Sequence, residues 1–280
     1  MAVDWDDDPL EPDSLEEPSA QPRDPVIDRA KSELRAFVLS QPAKVFYQRQ
    51  LQVIFEGRFF HWITSRALSE LAAEGTLRSE SLTLPQSETL SGRIVIYRSP
   101  RHRYWRRGAR EIIRLVSRFS KPEFTWALGT QGELMFDAGL PTVGFMPQGS
   151  SLRSYKGLEW TETSHDLDRV YERDGIAYGA EIKNTLGYIE KDELEVKVKM
   201  CKALGLRPLF IVRMAPKSYV NFVAEEGGFT LIFKYQLYPF GQKAFADEIR
   251  EKLGLPTDSP ARIADGTLKR FLDWHIRTLG

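Results

Sequence analysis

The chain has 280 residues, of which 42% are apolar and 11% aromatic, with 39 Lys plus Arg balanced by 39 Asp plus Glu. That composition supports one or two packed domains and excludes a wholly disordered chain. The single cysteine, Cys201, excludes a disulfide framework and a Cys-rich zinc ribbon, and no apolar run of about 18 residues is present to span a membrane.

The zero net charge is unevenly distributed. Residues 1–25 hold nine acids and one base, a balance of −8, whereas residues 26–107 carry 14 bases and 7 acids, +7, and residues 108–280 carry 24 and 23, +1. The first 25 residues also contain Pro9, Pro12, Pro18, Pro22 and Pro25. This composition predicts a disordered acidic tail and is the opposite of a secretory signal, so a cytoplasmic location is expected.

Helical spacing begins near Asp28, with Ala30, Leu34, Phe37 and Val38, and should stop near Gln41-Pro42. A short helix is expected over Gln48–Phe55. A third, Phe59–Glu74, carries an apolar stripe of Phe60, Ile63, Ala67, Leu68 and Leu71 and stops at Gly75. Two alternating segments come next, Thr76–Leu84 and Gly92–Arg98, around a polar tip Pro85–Ser91. Three helices and a hairpin are the order of a winged helix-turn-helix domain, assigned here to residues 26–107. Its third helix would lie in the major groove with His61, Trp62, Ser65, Arg66 and Ser69 outward. An arginine-rich connection adjoins it directly. Arg98, Arg101, Arg103, Arg106, Arg107 and Arg110, interleaved with His102, Tyr104 and Trp105, suit bidentate phosphate binding and base stacking. DNA, duplex or branched, is the expected partner.

Within residues 108–280, acid-x-Lys occurs twice, as Glu181-Ile182-Lys183 and Glu195-Val196-Lys197. The first lies in the alternating run Ile176–Lys183, which predicts a strand with Ala177, Gly179, Glu181 and Lys183 on one face. The two small residues would let a substrate backbone approach. The second copy sits in Glu190–Leu204, which has helical spacing. Two residues apart on a helix diverge by about 200°, so only the first copy is expected to form a site. Upstream, His165–Tyr171 alternates and is joined to Ile176 through Asp174-Gly175, a tight-turn signal. The hairpin sets Asp166 or Asp168 opposite Glu181 and Lys183. Carboxylates there form a hard-oxygen site for Mg²⁺ or Mn²⁺, and Lys183 would hold or help deprotonate the attacking water. No GxxxxGK[ST] loop or GxSxG elbow is present.

Over residues 120–240 these features resemble the PD-(D/E)XK nuclease superfamily. The resemblance implies an α/β domain with a restriction-endonuclease-like mixed sheet flanked by helices. Asp168 stands for the family's acid, with Asp166 the alternative, and Ser164-His165 replaces its proline. Glu181-Ile182-Lys183 matches the acid-x-Lys signature, and Glu133, in Gly129–Leu140, matches a helix glutamate. By that resemblance Asp168, Glu181 and the Ile182 carbonyl would hold the metal, Lys183 would assist the water, and Glu133 would support a second ion. The helix after Lys183 also contributes in relatives, here through Glu193, Lys197 or Lys199. A Mg²⁺-dependent endodeoxyribonuclease is therefore expected, with a homodimer for double-strand cleavage. The alternative is a non-catalytic DNA-binding regulator with a nuclease-like scaffold, and the arginine and aromatic run also suits RNA or single strands. Residues 149–163 are expected to form a substrate loop, and residues 241–280 to complete the domain or dimerise.

Overall fold

The structure, a computed structural model, describes residues 24–85 and 92–279. The tail as far as Arg23 and residues 86–91 of the hairpin tip lie outside the described residues. Asp24 and Pro25, assigned to the tail from composition, instead open a helix. The Asp24 side chain accepts the Val26 N–H at 2.9 Å, and Pro25 takes the first helical position, where its missing N–H costs nothing.

The amino-terminal elements keep the expected order of three helices and a hairpin, with an unexpected short strand before the second helix: α1 (Pro25–Leu39), β1 (Val45–Tyr47), α2 (Gln48–Phe55), α3 (His61–Ala73), β2 (Arg78–Thr83) and β3 (Arg93–Arg98). The three strands form an antiparallel sheet ordered β1-β3-β2. Leu34 and Val38 of α1 pack with Leu51 and Phe55 of α2 and Ala67, Leu68 and Leu71 of α3.

The chain beyond β3 enters a helix and not an irregular connection. This helix, α4 (Trp105–Phe119), begins within the arginine run, and its inner face, Ala109, Ile112, Leu115 and Val116, is buried. It shares one cluster with Val45, Tyr47 and Ile96 on one side and Tyr238, Phe245 and Ile249 on the other. The expected boundary at 107/108 therefore falls inside a helix whose core is continuous with both parts.

The rest is a mixed α/β body: α5 (Pro122–Gly139), β4 (Met146–Leu152), β5 (Ser154–Tyr155), β6 (Leu158–Glu159), β7 (Leu167–Arg173), β8 (Ile176–Lys183), α6 (Lys191–Ala203), β9 (Arg207–Val212), α7 (Lys217–Glu225), β10 (Phe229–Ile232), β11 (Gln236–Leu237), α8 (Lys243–Leu253), β12 (Thr257–Asp258) and α9 (Asp265–Arg277). A five-stranded sheet runs β10-β9-β8-β7-β4. The β8-β9 and β9-β10 pairs are parallel, and β7-β8 and β4-β7 are antiparallel. Asp174 and Gly175 both have positive φ, 51° and 75°, which makes the tight β7-β8 turn.

Helices cover both faces, so the central strands are apolar on both sides. Tyr178, Ala180, Leu209 and Ile211 pack with Met135 and Phe136 of α5 and Phe271 of α9. Phe210 and Val212 pack with Leu194 and Val198 of α6 and Val223 of α7. Residues 241–280 thus complete the body through α8 and α9. Residues 149–163 contain the end of β4 and the small β5-β6 hairpin. Among the described residues no helix is long and apolar enough to cross a membrane.

One buried ion pair joins the amino-terminal elements to the large sheet. Arg213, just past β9, is almost fully buried and binds both oxygens of Glu56, just past α2, at 2.6 Å. Burial alone would raise the Glu56 carboxyl, but Arg213 and His61 more than reverse that and hold it below its ordinary value. Glu56→Ala leaves the guanidinium buried without its counter-charge, and urea unfolding at neutral pH should register a loss of roughly 3–5 kcal/mol. Glu56→Leu combined with Arg213→Met should recover most of that loss. A single substitution with unchanged midpoint would show that the pair carries no stability.

Candidate active site

The β7-β8 ladder ends at Arg169 opposite Ala180. Beyond it the Asp168 side chain takes over the pairing, and the Ile182 N–H donates to Asp168 Oδ2 at 2.7 Å. Alternation along β8 sends Glu181 and Lys183 toward α6. Glu181 is buried, with Oε1 2.7 Å from Lys183 Nζ and Oε2 2.5 Å from Lys197 Nζ. Lys183 also meets Glu193 at 2.9 Å, and Lys197 donates to the Asp166 carbonyl. The site therefore gathers Asp168, Glu181 and Glu193 with two lysines. Asp166 contributes its backbone, and Asp168 is the acid set against Glu181-Ile182-Lys183.

The two acid-x-Lys copies meet in an unexpected way. Glu195 turns to Lys191 at 3.4 Å, while Lys197 points into the site. Divergence along the helix separates the pair as expected, but packing of α6 against β8 recruits its lysine. Helical spacing within the copy could not reveal this tertiary contact.

Four other expectations are corrected. Glu133 is not brought to the carboxylate pair. It sits on α5, across the sheet, where it binds Arg169 at 3.0 Å beside Asp137, which Arg169 also binds at 2.9 Å. The Gly179 face does not admit a substrate backbone, because a Cβ there would lie 2.6 Å from Cys201 Sγ and 2.8 Å from Leu167 Cδ1. Glycine at this position lets α6 close over the strand. Arg98 is buried, bound to Glu80 at 3.2 Å and set 5.0 Å over the Trp105 ring, so it is a packing residue and not a phosphate contact. His61 turns inward, with Nδ1 2.9 Å from Arg49, and its backbone N–H donates to the Tyr188 hydroxyl at 2.6 Å. Arginine only donates, so His61 Nδ1 accepts and the ring proton resides on Nε2.

Of the remaining expected DNA contacts, Ser65 and Trp105 are half-buried, Ser65 donating to the His61 carbonyl at 3.0 Å and Trp105 packing against the core, while the arginines lie at the surface. Trp62, Arg66 and Ser69 are exposed on α3, with Arg66 paired to Glu70. Arg101, Arg103, Arg106, Arg107 and Arg110 are exposed at and just before the start of α4, none in a salt bridge among the described residues. Tyr104 beside them is 85% exposed.

Two residues that carried no motif hold the segment after Lys183. Asn184 is buried and donates to the Leu128 and Leu237 carbonyls, both at 2.7 Å, while accepting the Leu237 N–H. Gly132 makes room for it, since a Cβ there would come within 2.7 Å of Asn184 Cβ. Arg213, besides clasping Glu56, donates to the Thr185 and Leu186 carbonyls. The signal in the sequence was faint: a charged residue closing the all-apolar strand Pro208–Val212.

Comparison with known proteins adds no identity: no family model, curated protein or solved structure matches the chain.

The electrostatics decide what the side chains can do. Burial and then the Glu181 charge raise Asp168 to about 6, against a pull from the Ile182 N–H and the two lysines. Burial opposes the Lys183 charge, yet Glu181 and Glu193 outweigh it and hold the amine above its ordinary value. Lys183 is thus a charge and hydrogen-bond donor at neutral pH, not a proton acceptor. Cys201, under Gly179, has its thiol pushed up to about 12 by burial and is no nucleophile.

A divalent cation fits this donor set on chemistry. Glu181 Oε2 lies close to Lys197 but has no aligned hydrogen bond, which leaves a lone pair to offer. Asp168 and Glu181 repel each other, and a hard cation that keeps several waters needs only one or two carboxylates. Among the described residues no group of three or more His, Cys, Asp or Glu is arranged to hold a metal ion, and Glu193 is taken up by Lys183, so any such ion would rest on Asp168 and Glu181.

A folded-state value of about 6 for Asp168, above the usual 3.8, means that the native protein binds the extra proton. Native stability is then lost as pH rises from about 4 through 6 and is level above that. Asp168→Asn keeps an acceptor for the Ile182 N–H and removes the charge. Its stability relative to wild type in EDTA should rise by about 2–3 kcal/mol between pH 4 and pH 7, read from urea unfolding. A difference independent of pH would contradict the raised value.

Proposed function

We propose that the chain is a metal-dependent DNA endonuclease of the PD-(D/E)XK type, with a restriction-endonuclease-like sheet domain and an amino-terminal winged helix. One observation carries the reading: Asp168 and Glu181-Ile182-Lys183 meet on adjacent antiparallel strands, tied by the Ile182 N–H to Asp168 and by Lys183 to Glu181.

Asp168 and Glu181, with the Ile182 carbonyl, would hold Mg²⁺ or Mn²⁺. Bound there, the cation would acidify a water and polarise the scissile phosphate. Lys183, kept protonated, donates to the attacking water or a phosphate oxygen and offsets the charge that develops during in-line displacement. Lys197 neutralises the other Glu181 oxygen and ties the carboxylate to the Asp166 backbone. Arg101, Arg103, Arg106 and Arg107, with Arg66 and Trp62 on α3, would anchor the DNA backbone.

A second reading, a non-catalytic DNA-binding scaffold, is favoured by one feature. Glu181 already has a lysine at each oxygen, so its charge is balanced without any metal.

Incubation of labelled duplex, branched and single-stranded DNA with and without Mg²⁺ or Mn²⁺ separates the two. Cleavage should require the cation, stop with EDTA, and fall by about 10²–10³-fold in Lys183→Ala, the range for removing a charge-stabilising donor, while DNA binding persists. Equal cutting by Lys183→Ala, or cutting that survives EDTA, would refute the assignment. The arginine face has its own readout. Arg103→Gln, Arg106→Gln and Arg107→Gln together should flatten the log–log salt dependence of duplex binding by about 2–3, at about 0.9 for each phosphate no longer neutralised. An unchanged slope would place the DNA elsewhere.

A further inference from the structure

Between α3 and the sheet body lies a cleft of about 940 Å³ that the catalytic reading does not use. Its walls carry Phe60 and Trp62 from the start of α3, Tyr188 from the segment after Lys183, and Tyr219 and Phe222 from α7. The size is that of a small-molecule site, and its aromatic content is the chief chemical feature. Tyr188 is pinned by the His61 backbone N–H on its hydroxyl and stands edge-on to Phe60 and to Tyr219, with centroids 6.3 and 6.2 Å away. Trp62, 56% exposed, completes the wall without being packed away itself.

The charges indicate what enters. Arg49 and Lys191 line the cleft, but so do Glu190 and Glu195. A lining of both signs disfavours a phosphate and suits a neutral planar group with a polar edge. The cleft also adjoins the proposed catalytic centre. Tyr188 is five residues beyond Lys183, hence within roughly 18 Å even for a fully extended chain. On α6, Glu193 binds Lys183 while its neighbour Leu194 faces the cleft.

We propose, resting on the nuclease reading, that this cleft receives an unpaired nucleobase from the strand being cut, held by stacking on Trp62 and Tyr219. A base inside a duplex is covered by its neighbours and cannot reach such a wall; only one outside the stack can. The substrate class is accordingly DNA with an extrahelical base near the scissile phosphate, as at a bulge, a branch or a single-stranded flank.

The test uses the full chain carrying Lys183→Ala, so that substrate stays intact, and a hairpin DNA bearing 2-aminopurine either as a single-base bulge or opposite thymine. The bulged probe should bind at least about tenfold tighter than the paired one, since stacking contributes about 1–3 kcal/mol per base, and its fluorescence should be quenched on binding. Tyr219→Ala should remove most of that preference and of the quenching while leaving the affinity for the paired probe unchanged, and Trp62→Ala should weaken the bulged probe more than the paired one. Equal affinity for both probes, or an equal reduction on both, overturns the proposal. Failure of the nuclease reading is separate: it shows as absence of Mg²⁺-dependent cutting by the wild-type chain and leaves the fluorescence result standing.

Discussion

The Glu56–Arg213 clasp is the constraint on which the arrangement depends. A guanidinium with almost no solvent contact carries a desolvation penalty that only a close anion and well-placed acceptors can offset. Arg213 finds both, but from two sources: the carboxylate comes from the end of α2, and the carbonyls come from Thr185 and Leu186. The same side chain therefore requires the amino-terminal helices to be docked and the segment after Lys183 to be folded back. Neither condition is met in isolation. The core around α4 repeats the point in apolar form, since Ile112, Leu115 and Val116 bury against residues from both parts of the chain. The described parts of residues 26–107 and 108–280 thus pack as one unit, with α2 and α4 tied to the segment after Lys183 through Arg213 and the shared core.

At the site itself the governing fact is excess negative charge in a confined place. Asp168, Glu181 and Glu193 face two lysines, and burial first, with the Glu181 charge second, raises the proton affinity of Asp168. The lysines do not relieve it equally. Lys183 bridges Glu181 and Glu193, whereas Lys197 divides its contacts between Glu181 and a backbone carbonyl. The residual charge lies on the Asp168 side, where a cation has the most to gain and where the β7-β8 ladder has opened.

Much of this was legible in the sequence. The alternation of Ile176–Lys183, the Asp174-Gly175 turn and the helical spacing of Glu190–Leu204 placed β7, β8 and α6 because each records burial by its own period. The hairpin alone brought out Glu181 and Lys183 and left Asp166 and Asp168 open; the preference for Asp168 came with the family resemblance. The features that escaped sequence reading depend on contacts between distant segments. Lys197 reaches Glu181 only because Gly179 lets α6 close over β8, and Glu133 is drawn away because Arg169, one residue past Asp168, points to the other face. The helix α4 was hidden for another reason: its arginines are as frequent on a solvated helix face as in an open connection, and they obscured the apolar spacing of Ala109, Ile112, Leu115 and Val116. The edge strand β4, Met-Pro-Gln-Gly-Ser-Ser-Leu, has little β propensity of its own, and its pairing with β7, broken by a bulge between Pro147 and Gly149, supplies what the residues do not.

The charge layout takes on a different meaning once these placements are known. Counting the basic segment as +7 treats its arginines as equivalent, but Arg98 is consumed internally by Glu80 and Trp105 and Arg66 is partnered by Glu70. The charge available to a polyanion is concentrated instead at the amino-terminal turn of α4 and the residues just before it. A helix start already presents unpaired N–H groups and the positive end of its dipole, so arginines there reinforce an anion-attracting field, and none of them forms a salt bridge among the described residues. The aromatic cleft, by contrast, mixes both signs. One region suits a phosphate backbone and the other an uncharged planar group, which is the division that the proposed nucleic-acid substrate would require.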